Sequence, residues 1–375
     1  MRIVMFYHSA LSDWNHGNAH FLRGVATELL LRGHQVLIYE PENSWSLKNL
    51  VAEHGRAPLH KFRKVYPELK IIRYRLATLD LYETLDLAGL VIVHEWNDPG
   101  LVKRIGEHRA AEGGYRLLFH DTHHRMVTSP QDMAAYELGN YDGVLAYGRV
   151  LQELYQESGR VRRAWTWHEA ADARVFFPRP DLPAEGDLIW IGNWGDGERT
   201  EEISEFLIEP VKALALRARF HGVRYPDAAR EALAQAGIEY AGWLPNFDVP
   251  AAFGQFKVTV HVPRRPYVKA LPGIPTIRVF EALACGIPLI CSPWDDVEEL
   301  FKSGRDFLVA RNGREMTRTL KAVLHNQEMA HELARHGLNT IRSRHTCAHR
   351  VDELLAIHAE LMQPAQKLPI HEHAT

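Results

Sequence analysis

The chain has 375 residues, with 44 lysines and arginines against 47 aspartates and glutamates and a formal net charge of −3. This balance argues against a dedicated nucleic-acid-binding protein, because phosphates are held by a strong positive field. The longest uncharged stretch, 282–294, has 13 residues, fewer than the ~20 of a membrane-spanning helix. The N-terminus turns polar at His8 and Ser9, which predicts no signal peptide and a cytoplasmic protein.

The three cysteines predict no disulfide framework and no cysteine zinc site. Cys285, Cys291 and Cys347 form no CxxC pair, and isolated cysteines of this kind are typical of small core residues. The 22 histidines are more unusual, and several of them lie in short clusters.

The first half of the chain alternates strand and helix patterns. Apolar strands are predicted at Arg2–Tyr7 and Gln35–Tyr39, with a helix at Phe21–Leu31 between them and Gly33 as its C-cap. Four more strands are predicted at Ile71–Tyr74, Gly89–Val93, Arg116–Phe119 and Gly143–Ala146. This alternation predicts a parallel sheet with helices on both faces.

A proline-rich break, FFPRPDLPAEGD, predicts an interdomain linker at 176–187. A second α/β set follows, with strands at Leu188–Ile191, Arg219–Gly222, Ile238–Ala241, Val258–Val262 and Leu289–Cys291. Its helices are predicted at Glu201–Leu216, Asp227–Ala236, Val249–Phe253, Thr276–Cys285, Arg314–His325 and Gln327–His336. We therefore expect two Rossmann-like domains, 1–175 and 188–345, and a final segment 346–375 with a helix at His349–Met362 and a frayed tail after Gln363.

Polar loops follow the strands of the first domain, where open parallel sheets bind ligands. One loop runs from His8 to His20, one begins HEWND after the fourth strand and one begins HDTHHR after the fifth. These loops supply candidates to hold a hydroxylated substrate or take a proton from it: His16, Gly17, His94, Glu95, His120, Asp121, His123 and His124. The i, i+4 spacing of His120 with His124, and of His16 with His20, leaves a zinc or iron site as an alternative.

Two segments of the second domain are suited to bind phosphate. The loop GNWGDGER, residues 192–199, precedes a helix, so its backbone N–H groups and Arg199 can meet phosphate oxygens. In the segment LPGIPTIRVFEALACGIPLIC, Gly273 and Pro275 open a helix that carries Glu281. This carboxylate can accept hydrogen bonds from ribose while the helix N-terminus faces a diphosphate, although an Arg278–Glu281 salt bridge is the simpler interpretation.

These motifs together resemble retaining nucleotide-sugar glycosyltransferases of the GT-B fold, of the family 4 type and its CgeB-like relatives. The resemblance runs through MRIVMFYHS, LLLRGHQVLIYEP, GLVIVHEWND, RLLFHDTHHR and WHEAADARVFFP, and it is most specific in PTIRVFEALACGIPLI. It implies two Rossmann-like domains that face each other across a cleft, with the C-terminal helix returning to the first domain. It also implies transfer of a sugar from a nucleoside diphosphate, UDP or TDP, without a metal or other cofactor, to an unidentified acceptor.

The resemblance assigns roles to several residues of this chain. Glu281 would bind the donor ribose, Arg199 would bind phosphate, and His120, with Asp121, would lie near the transferred sugar as the catalytic pair. The remaining donor-binding positions would be Gly192, Asn193, Gly273, Ile274, Pro275, Thr276 and Arg278. One position departs from the family pattern, since Gly273 stands eight residues before Glu281 where the family has another glutamate. The second basic residue of the family is open between Arg264, Arg265 and Lys269.

Two other functions fit the same fold. A nucleotide-sugar 2-epimerase would need acid and base carboxylates around the sugar and no acceptor. A non-catalytic nucleotide-sugar-binding protein would keep the pocket without turnover. The segment 54–75, in which lysines and arginines alternate with aromatic and aliphatic residues, predicts a solvated helix face, with peripheral contact to an anionic membrane as the alternative.

Overall fold

A seven-stranded parallel sheet forms the first half of the chain in the computed structural model, which describes residues 1–363. Its strand order is β3-β2-β1-β4-β5-β6-β7, so the direction of winding reverses between β1 and β4. The predicted frayed tail lies outside the described residues. The strands are β1 (Arg2–Phe6), β2 (Gln35–Pro41), β3 (Ile71–Tyr74), β4 (Ala88–His94), β5 (Arg116–Asp121), β6 (Gly143–Ala146) and β7 (Ala164–Thr166).

A six-stranded parallel sheet forms the second half, in the order β10-β9-β8-β11-β12-β13. Here the winding reverses between β8 and β11, and ligands of open α/β sheets bind at the carboxyl ends of the strands at such a point. The strands are β8 (Gly186–Ile191), β9 (Ala218–His221), β10 (Glu239–Tyr240), β11 (Phe256–His261), β12 (Leu289–Cys291) and β13 (Leu308–Val309).

Helices connect the strands and cover both faces of each sheet. In the first half they are α1 (Ala19–Leu31), α2 (Trp45–His54), α3 (Ala57–Val65), α4 (Leu81–Leu85), α5 (Pro99–Glu112), α6 (Arg125–Thr128), α7 (Pro130–Ala134) and α8 (Arg149–Glu157). In the second half they are α9 (Thr200–Ile203), α10 (Glu209–Leu214), α11 (Asp227–Gln235), α12 (Val249–Gly254), α13 (Arg265–Lys269), α14 (Ile277–Ala284), α15 (Gly313–His325), α16 (Gln327–Arg344) and α17 (Cys347–Met362). A π-helical turn at Ser204–Ile208 joins α9 to α10, and short 3-10 turns lie at Leu76–Thr78 and Asn246–Asp248.

The last helix returns to the first domain, as predicted. Arg32 of α1 donates from Nη1 to Asp352 of α17 at 2.5 Å, and Trp167 donates from Nε1 to the Arg350 carbonyl at 2.8 Å. One apolar core contains residues of α1, α14 and α17 together. The predicted α/β fold with two Rossmann-like sheets is therefore confirmed.

The sequence prediction missed some elements and misplaced others. All eleven predicted strands are present, but the short strands β7 and β13 were not expected, and β8 begins at Gly186 inside the predicted linker 176–187. Helix α16 continues past His336 to Arg344 because Gly337 is not a cap. A Cβ at Gly337 would lie 2.6 Å from Leu283 of α14, so glycine allows the two helices to pack closely. The exact domain boundaries stay predictions.

The three cysteines are free and buried, as expected of core residues. Across residues 1–363, the helices are all too short or too polar to cross a membrane.

Candidate functional site

A cleft of about 670 Å³ lies where the carboxyl ends of the two sheets face each other. Its first-domain wall comes from the segments after β1, β4, β5, β6 and β7, and its second-domain wall from those after β8 and β11 and from the start of α14. The second-domain wall lies at the switch point between β8 and β11. Side chains that dominate the lining are His8, His16, Trp96, His123, His124, Arg125, Glu169, Asn193, Arg199, Arg264, Tyr267, Thr276 and Arg278.

Three arginines converge in the second-domain wall. Arg264 pairs with Glu198 at 2.9 Å and Arg278 pairs with Glu281. Arg199 donates only to carbonyls, from Nη1 to Val262 at 2.6 Å and from Nη2 to Asn193 at 2.5 Å, and has no carboxylate in salt-bridge contact among the described residues. Burial, and then the charge of Arg264, lower the pKa of Arg199 to about 9. The wall therefore carries excess positive charge that an anion would neutralise.

The N-terminus of α14 opens into the same wall. Thr276 lies at its N-cap and hydrogen-bonds His261 through Oγ1 at 3.0 Å. The first-domain loop comes close here, because a Cβ on Gly17 would lie 3.2 Å from the Ile277 side chain. The free N–H groups of the first turn and the three arginines thus face one volume, an arrangement that favours a phosphate group.

Gly273 has a backbone conformation that excludes the missing family glutamate. Its φ is +87°, and a Cβ there would lie 2.8 Å from Val297 and 3.0 Å from Glu298. Its N–H donates to the Asp295 carbonyl at 2.7 Å. In this conformation a residue with a side chain is strained at position 273 and would clash with its neighbours. Gly273, Ile274 and Pro275, all predicted to bind the donor, lie outside the cleft wall.

Glu281 lies beneath the cleft in a buried pair between the domains. Its Oε1 accepts from His20 Nδ1 at 2.9 Å, and its Oε2 contacts Arg278. His20 Nε2 accepts from the Asp172 amide at 2.8 Å, which leaves the ring proton on Nδ1 to be donated to Glu281. The carboxylate is fully buried, so the predicted ribose contact would require Arg278 to leave Oε2.

A row of histidines extends from the cleft into the first domain. The rings of His8 and His16 are 4.1 Å apart, those of His8 and His94 are 5.7 Å apart, and those of His94 and His120 are 5.4 Å apart. Burial lowers the pKa of His8 and of His120 to about 3 and that of His16 and His94 well below the usual range. The four rings are therefore neutral near pH 7. His8 and His16 line the cleft, whereas His94 and His120 are fully buried below it.

Asp121 and Glu95 belong to a buried network that shapes the floor of the cleft. Asp121 accepts from the Tyr155 hydroxyl at 2.7 Å and from the His123 amide at 3.0 Å. Glu95 is bound by two nitrogens of Arg125, at 3.1 and 2.6 Å. Burial raises the pKa of both carboxyl groups. The structure thus does not bring His120 or Asp121, the predicted catalytic pair, into the cleft.

The histidine pairs do not have the geometry of metal-ligand pairs. The i, i+4 spacing places two ligands together only within a helix, but His120 is in β5 and His124 precedes α6. His16 precedes α1, and both ring nitrogens of His20 already have protein partners. Within residues 1–363, no three His, Cys, Asp or Glu side chains are grouped to hold a metal ion.

About half of the predicted site residues are brought together in the cleft wall. Those that line it are His16, Gly17, His123, His124, Gly192, Asn193, Arg199, Thr276 and Arg278. Those that do not are His94, Glu95, His120, Asp121, Gly273, Ile274, Pro275 and Glu281. Of the three candidate basic residues, Arg264 is in the wall, whereas Arg265 and Lys269 are outside it.

Several residues of the cleft wall were not among the predicted site residues, including His8, Trp45, Trp96, Arg125, Glu169 and Tyr267. Trp96 is half-exposed and stacks with Arg125, whose Cζ is 4.1 Å from a Trp96 ring centroid. Glu169 is almost fully buried in the wall beside Ile277. Trp96 lies in the quoted HEWND loop, so its position after β4 was a usable signal. For Glu169 the available signal was its place in the WHEAAD segment before the linker.

Comparison with known proteins agrees with this architecture. Residues 199–356, the part of the chain that contains Arg199, Arg278 and α14, match the glycosyl transferase-like family model. No curated protein sequence matches the chain.

Solved structures with the same fold cover nearly the whole chain. Sucrose-phosphate synthase from Thermosynechococcus elongatus superposes with a TM-score of 0.68 and 14% identity over 96% of this chain and 99% of its own. Anabaena Alr3699/HepE in complex with UDP and glucose superposes with a TM-score of 0.69 and 12% identity over 96% of this chain and 100% of its own. An alpha-glucosyltransferase in complex with UDP and a 13-mer DNA superposes with a TM-score of 0.69 and 11% identity over 96% of this chain and 99% of its own. These likenesses establish the GT-B fold.

Proposed function

We propose that the chain is a nucleotide-sugar-dependent glycosyltransferase of the GT-B fold that transfers the sugar of a UDP- or TDP-sugar, without a metal ion, to an acceptor held on the first domain. The observation that carries this proposal is Arg199, a largely buried guanidinium with no carboxylate partner among the described residues, in a wall shared with two further arginines and the N-terminus of α14.

The donor diphosphate would occupy the volume in front of α14. Departure of the sugar leaves negative charge on the diphosphate, and pre-placed donors stabilise that charge best where water is excluded. Arg199, Arg264 and Arg278 supply fixed positive charge, and the first turn of α14 supplies N–H groups. These groups can stabilise the leaving group in the place of a metal ion. UDP is the favoured nucleotide, since the HepE and alpha-glucosyltransferase complexes contain it.

The acceptor would enter through a second cavity, of about 680 Å³, that adjoins the cleft. Both cavities are lined by His8, Trp45 and Trp96. The two tryptophans are 42% and 39% exposed, so each presents a flat apolar face to a ligand, and Asn97 and Asp98 add polar groups. This combination of aromatic walls and a few polar groups is typical of small-molecule sites. The near-neutral charge of the chain argues against a nucleic-acid acceptor.

The proposed retention of anomeric configuration rests on the family resemblance. No side-chain nucleophile is assigned, and the lowered pKa values of His8 and His16 make both rings weak bases for the acceptor proton. The anomeric configuration of the product, read by NMR coupling constants, decides between retention and inversion.

The decisive experiment measures nucleotide binding and then the products. We expect UDP or TDP to raise the unfolding midpoint without magnesium, and Arg199→Ala and Arg264→Ala to reduce that effect. Incubation with labelled UDP-sugars and an acceptor panel should then release UDP together with a glycoside. Interconversion of the donor without UDP release would indicate a 2-epimerase, and binding without any turnover a binding protein. Absence of nucleotide binding, with or without magnesium, would contradict the proposal.

Peripheral contact with an anionic membrane, in the cytoplasm, is the other part of the proposal. A groove of about 600 Å³ beside α2 and α3 combines leucine and valine side chains with Lys48, Arg56, Arg63 and Arg73. Basic side chains around apolar ones favour anionic lipid surfaces. We expect cosedimentation with phosphatidylglycerol vesicles but not with phosphatidylcholine vesicles, and loss of that binding in an Arg56→Ala, Arg63→Ala double variant.

A further inference from the structure

Glu169 is a cleft carboxyl group that the proposed function leaves unused. It lies in the segment after β7 and is 2% exposed, although it forms part of the cleft wall. Its Oε1 has no hydrogen-bond partner among the described residues. The Ile277 amide in the first turn of α14 acts on this carboxyl group as a backbone hydrogen-bond donor, so the carboxyl group stands beside the N–H groups that face the expected diphosphate.

The surroundings of Glu169 favour its neutral form. Burial and the nearby Glu281 carboxylate raise its pKa well above the usual range, against the opposing effects of Arg278 and the Ile277 amide. Tyr147 and Tyr267 also face it, and burial raises the pKa of both phenols, so neither supplies a charge near pH 7. A neutral carboxyl group can donate a hydrogen bond, whereas an ionised one would repel a phosphate at the same place.

We propose that Glu169 binds the donor diphosphate as a hydrogen-bond donor, from its buried position beside the start of α14. This inference rests on the proposed function, because it assumes that the anion in front of α14 is the diphosphate of the donor. It places a carboxyl group in the donor site from the first-domain side of the cleft, in a chain whose residue 273 has no side chain. It also gives the unpartnered Oε1 a ligand.

Ligand binding and protonation would then be linked. An anion that accepts from the protonated carboxyl group raises the pKa of Glu169 further, so the bound state holds the proton more tightly than the free state. Affinity is therefore highest at low pH and falls as pH rises through the pKa of Glu169 in the free protein. Glutamine, which donates through its amide and does not titrate, should keep the affinity and lose this part of the pH dependence.

Calorimetric titration with UDP between pH 6 and 9 tests the proposal in the full-length protein. At pH 6 we expect Glu169→Gln to bind UDP within about threefold of wild type, and Glu169→Ala to bind about ten- to hundredfold more weakly, the factor for a hydrogen bond to a charged group. As pH rises, wild-type affinity should fall relative to Glu169→Gln. The titration of UDP itself cancels in this ratio.

Controls separate the outcomes. Glu353, a partly buried carboxyl group on α17 whose pKa is also raised by burial, reports general pH effects, and Glu353→Gln should follow the wild-type profile. Parallel pH profiles for wild type and Glu169→Gln, or unchanged UDP binding in a folded Glu169→Ala variant, would overturn the assignment while leaving the transferase function intact. An effect on UDP-glucose without an effect on UDP would overturn the contact to the diphosphate. Failure of wild type to bind UDP at all would instead remove the proposed function.

Discussion

Replacing Arg199 by methionine should weaken UDP binding strongly while leaving the stability of the free protein nearly unchanged. In wild type, Cζ of Arg199 lies 5.2 Å from a Trp190 ring centroid. Methionine keeps an unbranched apolar chain where the arginine stem lies. It removes the guanidinium and its two hydrogen bonds to the carbonyls of Val262 and Asn193. The two consequences for stability have opposite signs.

Their magnitudes nearly cancel. Burial of an ion costs several kcal/mol, and the lowered pKa of Arg199 has burial as its largest cause. Two charge-assisted hydrogen bonds to carbonyls contribute about 3 to 6 kcal/mol in the other direction. We therefore expect the unfolding free energy of the free variant to lie within about 2 kcal/mol of wild type.

The effect on the ligand is not offset in this way. UDP at about 100 times its dissociation constant stabilises wild type by about 2.7 kcal/mol. Loss of a buried charge contact costs about 2 to 5 kcal/mol of binding, which leaves the variant at most about 0.9 kcal/mol of stabilisation at the same UDP concentration. Arg265→Met is the matched control, because Arg265 pairs with Glu202 at 2.7 Å outside the cleft, and it should keep the full UDP effect.

Urea unfolding with and without UDP measures both quantities. The reasoning is refuted if the free Arg199→Met protein loses more than about 3 kcal/mol, which would make Arg199 a structural residue. It is equally refuted if UDP stabilises this variant as strongly as it stabilises wild type.

Three further changes test other parts of the site. His20→Ala should destabilise the protein by about 3 to 5 kcal/mol in urea unfolding, because it leaves the buried Glu281 with one partner; a loss below about 1 kcal/mol would contradict the buried pairing. Gly273→Glu should lower the unfolding free energy by at least about 1 to 2 kcal/mol for the positive φ alone and should not raise transfer rates; faster transfer would contradict the backbone argument. Asp121→Asn should flatten the dependence of stability on pH, because burial raises the pKa of Asp121 to about 6. Between the ordinary aspartate pKa and about pH 6, the wild-type folded state binds more protons than the unfolded state. The stability of wild type therefore falls as pH rises through that window. Equal slopes in wild type and variant would show that Asp121 does not titrate there.

The local parts of the fold could be predicted from the sequence because each is set by nearby residues. Strand and helix patterns alternate, and Gly286, with φ at +64°, ends α14 where the sequence indicated. The errors arose where a distant contact determines the local structure. The helix predicted at Gln327–His336 continues through Gly337 to Arg344, and Gly337 is where Leu283 of α14 packs against α16.

The same distinction explains the candidate site. Arg199 and Thr276 follow a strand end and open a helix, so their place in the cleft wall could be inferred from their own segments. Glu281 was also correctly placed on α14, but its partner His20 is 261 positions away. No spacing rule connects the two residues, and the burial of this carboxylate depends on how the two domains meet.

The contacts between the domains also determine how the donor can enter. Asp13, in the loop after β1, accepts from the Trp243 indole at 3.1 Å and from the Asn246 amide at 3.1 Å, and the Asn246 side chain donates to the Gly17 carbonyl at 3.0 Å. The loop that lines the first-domain side of the cleft is thus fastened to the second domain, which carries the arginines. Expulsion of water from the site requires such closure, and donor entry requires its release. An anionic donor that neutralises the excess positive charge of the second-domain wall while contacting the first domain would favour the closed arrangement.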